Sequence, residues 1–130
     1  MEFSKFISMV RDRASIATDT EAETACCATL KALAERISGD KAQTLADRVP
    51  TEFAECLRGE QYGQQFGLKE FYQRVADREG VSPDVAAEHV RAVIDVVKET
   101  LSANEVMDIM SELPVEYDEL FAISRVEAVK

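Results

Sequence analysis

An internal repeat limits what this chain can fold into more than any other feature of its sequence. The segment FSKFISMVRDR near the start aligns with LKEFYQRVADR after the middle, so that Phe71 lies 65 residues after Phe6 and Arg78 lies 65 residues after Arg13. Beyond one extra residue in the first copy, TLKALAERIS aligns with VIDVVKETLS and VPTEFAECL with LPVEYDELF, now 64 residues apart. Matches that keep their order across three segments indicate duplication of one supersecondary unit.

Apolar residues recur every three or four positions within each copy, as at Val90, Ile94 and Val97 on the inward face of one helix. The repeat therefore predicts an all-α fold: a compact helical bundle of two tandem, pseudo-symmetric repeats with about four helices each. A chain of 130 residues is long enough for one core and short for two, because small units bury too little surface alone. We therefore expect a single domain over residues 1–130. Its parts are repeat one at 3–57, a glycine-marked connector at 58–67, repeat two at 68–121 and a tail at 122–130.

Local signals predict where several helices begin and end. Thr18 stands three residues before a glutamate, a spacing at which its side chain can accept a hydrogen bond from an orphan amide at a helix start. The helix that follows is expected to run to about Ile37 and to stop because Gly39 takes the left-handed conformation. In the second copy, Gly80 is predicted to end the first helix, and Pro83 to begin the long second helix.

The chain has a net charge of −10, and its longest acidic stretch lies in the second copy. Seven carboxylates and no Lys or Arg lie between Lys98 and Arg125. This balance argues against nucleic acid as a partner, because phosphate contacts need a basic patch. An acidic patch could attract a basic protein or divalent cations. It could also be only a solvated face, as in a salty cytoplasm.

The sequence predicts a cytoplasmic protein with no membrane partner. No apolar run approaches the roughly 20 residues that span a bilayer, and the start MEFSKFISMVRDR acquires charge too early for a secretory signal. Three cysteines, an odd number with two adjacent, do not resemble a disulfide framework. Their number fits a reducing compartment.

The cysteines admit two interpretations. A vicinal pair, Cys26 and Cys27, with Cys56 as a third thiolate suggests a redox switch or a soft-metal site. The repeat favours a structural role instead, because the aligned positions are Val90, Arg91 and Leu120 in that order. We therefore expect Cys26 and Cys56 to be buried thiols and Cys27 to be an accessible one. Adjacent side chains on a helix diverge by about 100°, so Cys26 and Cys27 cannot bridge within it.

No catalytic motif is present in the sequence, and no catalytic or metal-binding residue is predicted from it. His89, the single histidine, is expected at the surface because no nucleophile or ligand partner accompanies it. Glu116 and Glu119 share one helical face, which could suggest a hydrolase, but that spacing is common on surfaces.

Arg13 and Arg78 are predicted to stabilise helix ends by bonds to carbonyls or to a carboxylate of the last helix in each copy. Alternatively, they mark equivalent contact sites.

The paired signatures FYQRVADREGV and LPVEYDELF, with the connector RGEQYGQQFG between the copies, carry a family resemblance. Across residues 3–121 the chain resembles an uncharacterised prokaryotic family, domain of unknown function 2267. The resemblance implies an all-helical fold of two related halves. It implies no activity, cofactor or functional residue.

The leading functional hypothesis is a non-enzymatic protein-interaction module with an acidic face, acting on an unidentified protein partner without a cofactor. Its predicted partner-binding residues are Glu112, Glu116 and Glu119. The alternative is a sensor of a small ligand, a metal or redox state. A sensor would use the cleft between the repeats or the three thiols of Cys26, Cys27 and Cys56.

Overall fold

The part of the chain described by the computed structural model, residues 1–58 and 61–122, contains helices and no strands. The predicted connector is therefore described except for residues 59 and 60, and the predicted tail, apart from Ala122, lies outside the described residues. The all-α prediction is confirmed. The α-helices in these ranges are α1 (Phe3–Ala14), α2 (Asp19–Arg36), α3 (Gly39–Arg48), α4 (Ala54–Leu57), α5 (Leu68–Glu79), α6 (Pro83–Thr100), α7 (Ala103–Met110) and α8 (Asp118–Phe121).

Two short helical segments pack against the long helices, α2 and α6. A 3₁₀ turn, Thr51–Phe53, leads directly into α4, and a second turn, Val115–Tyr117, leads into α8. We call residues 51–57 the first closing segment and residues 115–121 the second closing segment. The first packs against α2 and the second against α6.

The predicted helix ends are confirmed at three positions and wrong at a fourth. Thr18 accepts a hydrogen bond from the Glu21 amide at the start of α2, Gly80 ends α5 with φ of 73°, and Pro83 opens α6. Gly39, however, is the first residue of α3 and not a left-handed cap. Helix α2 ends instead at an extended residue, and the Ser38 hydroxyl then caps α3, so the two helices need no left-handed residue between them.

Helices α2 and α6 bury more side chains than the other helices and form the centre of the core. Their apolar residues recur every three or four positions, so one face of each is continuously buried, as at Val90, Ile94 and Val97. Helices α1 and α5 each pack against both long helices, and one apolar cluster joins all of them.

Each closing segment inserts the aromatic ring of its 3₁₀ turn into this core. Phe53 lies 5.1 Å from the ring centre of Phe3 and 5.2 Å from that of Phe6. Tyr117 meets Phe71 edge to face at 5.7 Å, and its hydroxyl donates a hydrogen bond to the Phe66 carbonyl at 2.7 Å. Burial of these rings keeps both segments docked, since a buried aromatic ring is among the strongest apolar contributors to stability.

Candidate functional site

A disulfide between Cys27 and Cys56 fastens the first closing segment to α2. The Cα atoms are 5.2 Å apart, within the usual disulfide range of about 4.4–6.8 Å, and both residues are half-buried. The sequence-based expectations of no disulfide, an accessible Cys27 thiol and a buried Cys56 thiol are therefore wrong. The physical reason is tertiary: α4 folds back along α2 and brings together two cysteines 29 positions apart in the sequence.

The third cysteine behaves as predicted. Cys26 is fully buried on the inward face of α2 and is a free thiol. Burial raises the pKa of this thiol well above its usual range, and the nearby carboxylates of Glu79 and Glu23 raise it further. Because the thiolate is the reactive form, Cys26 is a packing residue and not a nucleophile.

A surface groove of about 540 Å³ opens beside the disulfide, and we call it the disulfide groove. Helix α2 supplies most of its wall, and α5 contributes Arg78 across the opening. Besides both sulfur-bearing residues, its polar lining consists of Thr20, Glu23, Thr24, Lys31 and Arg78. Both cysteines line the groove, so it borders a bond that thiol–disulfide exchange can open.

A second groove, of about 400 Å³, lies beside α8, and we call it the ion-pair groove. Here Glu119 accepts hydrogen bonds from the Tyr72 hydroxyl at 2.7 Å and from Arg91 at 3.1 Å. These donors lower the pKa of Glu119, while burial and the same carboxylate raise the pKa of the Tyr72 phenol. In the sequence alignment of the two copies, Arg91 corresponds to Cys27.

Arg13 and Arg78 form ion pairs, but their carboxylate partners lie on the long helices and not on the closing helices as predicted. Arg13 on α1 contacts Asp95 at 2.6 Å and also Glu99, both on α6. Arg78 on α5 contacts Glu35 on α2 at 2.8 Å. The partners differ from the prediction because α1 and α5 end against the long helices. Arg13 lines the ion-pair groove and Arg78 lines the disulfide groove.

The three predicted partner-binding carboxylates already bind groups within the protein. Glu112 accepts from the Ser38 amide at 2.7 Å and from the Ser38 hydroxyl at 2.9 Å. Glu116 accepts from the Leu68 amide at 2.8 Å, at the start of α5, and Glu119 takes part in the contacts described above. Glu112 and Glu116 bind the starts of α3 and α5, and Glu119 binds side chains within α5 and α6, so a partner that bound these carboxylates would have to compete with internal bonds.

His89 is not the surface residue that the sequence predicted. Its ring is 14% exposed, and Nδ1 lies 2.6 Å from the Glu79 carboxylate, whose side chain is 4% exposed. Burial raises the pKa of Glu79, and His89 partly offsets this effect. The signal in the sequence was the alignment of His89 with an apolar residue, Ala25, which the structure buries fully.

The sequence reasoning also missed Arg36, a buried cation at the end of α2. Its Nε donates to the Phe66 carbonyl at 2.9 Å, and its guanidinium lies 5.6 Å from the centre of the Tyr117 ring. Arg36 follows Leu33 by three positions and so lies on the same inward face, which helical periodicity could have indicated.

Over residues 1–58 and 61–122, no cluster of three or more His, Cys, Asp or Glu side chains is arranged to hold a metal ion. None of the helices in that part of the chain is long and apolar enough to cross a membrane. No curated protein is similar enough to the chain to count as a match. The sequence of residues 3–120 matches a family described as "Uncharacterized conserved protein (DUF2267)", and the chain belongs to that family.

Proposed function

We propose that this protein is a non-enzymatic helical module that responds to thiol–disulfide state, with the Cys27–Cys56 disulfide as the responding bond. The observation that carries the proposal is the position of this bond. It joins the first closing segment to α2, and both of its cysteines are half-buried beside an open groove. An accessible disulfide that fastens a short element is suited to reversible exchange.

The stability that the disulfide is expected to contribute favours a conformational response to reduction over unfolding. Cross-linking residues 29 positions apart is expected to add roughly 3–4 kcal/mol, mainly by restricting the unfolded chain. Reduction removes that contribution but leaves Phe53 and Leu57 packed in the core. The reduced protein therefore keeps its fold, while the first closing segment opens more often.

The proposal includes a cytoplasmic location and a protein partner. Disulfides in a reducing compartment are usually transient and serve catalysis or redox sensing, so a cytoplasmic location implies a reversible bond here. The partner would bind the apolar side of the first closing segment, where Phe53 and Leu57 lie. It would do so when reduction allows that side to open. This partner replaces the basic one that the acidic stretch suggested, since Glu112, Glu116 and Glu119 have internal bonds.

We also propose that the molecule consists of two repeats. Helices α1 and α5 have 12 residues each, α2 and α6 have 18 each, and each closing segment combines a turn of 3 residues with a helix of 4. In this interpretation one copy carries the redox-sensitive attachment, and the other keeps a redox-insensitive one.

Hydrogen exchange on the oxidised and reduced protein tests the proposed function. Reduction should increase amide exchange in residues 51–57 and leave residues 115–121 unchanged, because only the first segment loses its attachment. The double variant Cys27→Ser/Cys56→Ser should resemble the reduced protein and ignore the reductant. The variant Cys26→Ala serves as a control that keeps the disulfide and its response. Equal exchange of residues 51–57 in the two redox states would contradict the proposal.

A further inference from the structure

We propose that the disulfide groove binds a short amino-acid or peptide thiol that carries both carboxylate and ammonium groups, and that this thiol reduces the Cys27–Cys56 bond. The inference rests on the proposed redox function and names the chemical class of its reductant. Three features of the groove support it: its size, its charges and its access to sulfur.

The groove is large enough for such a molecule. Its volume of about 540 Å³ falls within the range of roughly 300–1,000 Å³ that is typical of small-molecule sites. Both sulfur-bearing residues contribute to its lining, so a bound thiol lies next to the bond that it must attack. The ion-pair groove has Arg91 and Glu119 in its lining and no sulfur atom among its lining residues.

The charges of the groove match a zwitterionic thiol better than a neutral one. Lys31 on α2 is exposed, and Arg78 on α5 lines the same groove, so two cations can bind carboxylates. Arg78 uses Nη2 for Glu35, and a guanidinium has five N–H donors in all. Glu23 is exposed in the same groove and can bind an ammonium group. A thiol without carboxylate or ammonium groups could not form these ion pairs.

The chemical step is ordinary exchange in two stages. The thiolate sulfur of the bound molecule attacks one cysteine sulfur and forms a mixed disulfide, while the Cys27–Cys56 bond breaks and its electron pair leaves on the other cysteine. That thiolate takes a proton from water. A second molecule of the thiol then attacks the mixed disulfide, which releases the external disulfide and the second cysteine. Two external thiols are oxidised, and one protein disulfide is reduced.

Rates of disulfide opening test the inference. Oxidised protein is mixed with glutathione, a tripeptide thiol with two carboxylates and one ammonium group, or with 2-mercaptoethanol, which has neither group, and the opening is followed by mass spectrometry. Rates are expressed per thiolate, since thiolate concentration otherwise dominates exchange. Glutathione should react at least about threefold faster than 2-mercaptoethanol, because screened contacts with Lys31 and Arg78 favour its binding.

Charge reversal provides the matched control. Lys31→Glu should lower the glutathione rate at least about threefold more than the 2-mercaptoethanol rate, because both thiols attack as thiolates but only glutathione has carboxylates that Lys31 can bind. Lys5→Glu makes the same change at another exposed lysine, on α1 outside the groove, and should alter neither rate. Equal rates for the two thiols, or an equal effect of Lys31→Glu on both rates, would overturn this inference.

The outcomes also separate this inference from the proposed function. If both thiols open the bond and loosen residues 51–57 without preference, the redox response stands and the binding site for a zwitterionic thiol does not. If neither thiol opens the bond in the folded protein, both proposals are wrong.

Discussion

The two closing segments are held to the long helices by bonds of different chemistry. A disulfide joins the first segment to α2, whereas the second is held to α6 by the ion pair of Arg91 and Glu119, which Tyr72 supports. In the first segment, Glu55 pairs locally with Arg58, three residues further along the chain. The same kind of helical unit is thus attached covalently on one side and electrostatically on the other.

This difference determines which conditions can loosen each segment. A disulfide is insensitive to salt and to mild acid but is lost to a reductant. An exposed ion pair responds in the opposite way, because salt screens it and acid neutralises its carboxylate. The two segments can therefore be loosened separately, and each serves as an internal control for the other.

The largest effect is expected when the buried ring of either closing segment is removed from the core. Phe53→Ala and Tyr117→Ala should each lower the free energy of unfolding by about 3–5 kcal/mol, because each leaves a cavity where a fully buried ring stood. Tyr117→Phe should cost only about 1 kcal/mol, since it removes the hydrogen bond to Phe66 but keeps the ring. Chemical denaturation under oxidising conditions measures all three.

The stability costs of Phe53→Ala and Tyr117→Ala compare how much each closing segment contributes to the core. Similar costs for the two alanine variants would show that the segments differ only in their attachment. If Phe53→Ala costs less than about 1 kcal/mol, the disulfide alone positions the first segment, and the comparison between the two is wrong.

The second prediction concerns pH. The folded protein lowers the pKa of Glu119 below its ordinary value of 4.5, through the hydrogen bond from Tyr72 and the bond from Arg91. The stabilisation from this carboxylate is therefore complete above pH 4.5 and is lost as pH falls through the lowered pKa. Below pH 4.5, amide exchange in residues 115–121 should rise, whereas residues 51–57 keep their protection in the oxidised protein.

Glu119→Gln provides the control for the acid response. This variant should show raised exchange in residues 115–121 already at neutral pH, with a smaller further change in acid. Exchange is corrected for the pH dependence of the intrinsic rate. If both closing segments loosen together in acid, a global transition and not the Glu119 attachment governs the response.

Helical periodicity and the repeat were enough to predict the helices and most of the core. Val90, Ile94 and Val97 fall every three or four positions, and the structure buries all three. The pattern works because a helix presents one face to its neighbours regardless of what those neighbours are. The same logic correctly placed Cys26 in the core.

The pairings between elements could not be predicted in the same way. The Cys27–Cys56 bond depends on how α4 lies along α2, which no local pattern specifies. Likewise, the sequence shows that Glu112 and Glu116 are acidic, but it does not show that the Ser38 and Leu68 amides point at them. A charge count cannot distinguish a carboxylate that caps a helix from one that is free for a partner.

The smallest expected effect concerns the ion pairs at the ends of α1 and α5. Arg13 contacts two carboxylates, Asp95 and Glu99, whereas Glu35, the partner of Arg78, also pairs with Arg74 at 3.2 Å. Arg13→Gln should therefore cost about 0.5–1 kcal/mol of stability in urea denaturation, and Arg78→Gln less than about 0.5 kcal/mol.

A double-mutant cycle distinguishes sharing of Glu35 from simple weakness of the Arg78 pair. The Glu35 side chain is only 17% exposed, so losing both arginines leaves a largely buried carboxylate without either cation. The double variant Arg74→Gln/Arg78→Gln should then cost more than the sum of the two single changes. Strict additivity would instead show that Glu35 is adequately solvated without them. In that case the contacts at α5 would be surface pairs of no structural consequence.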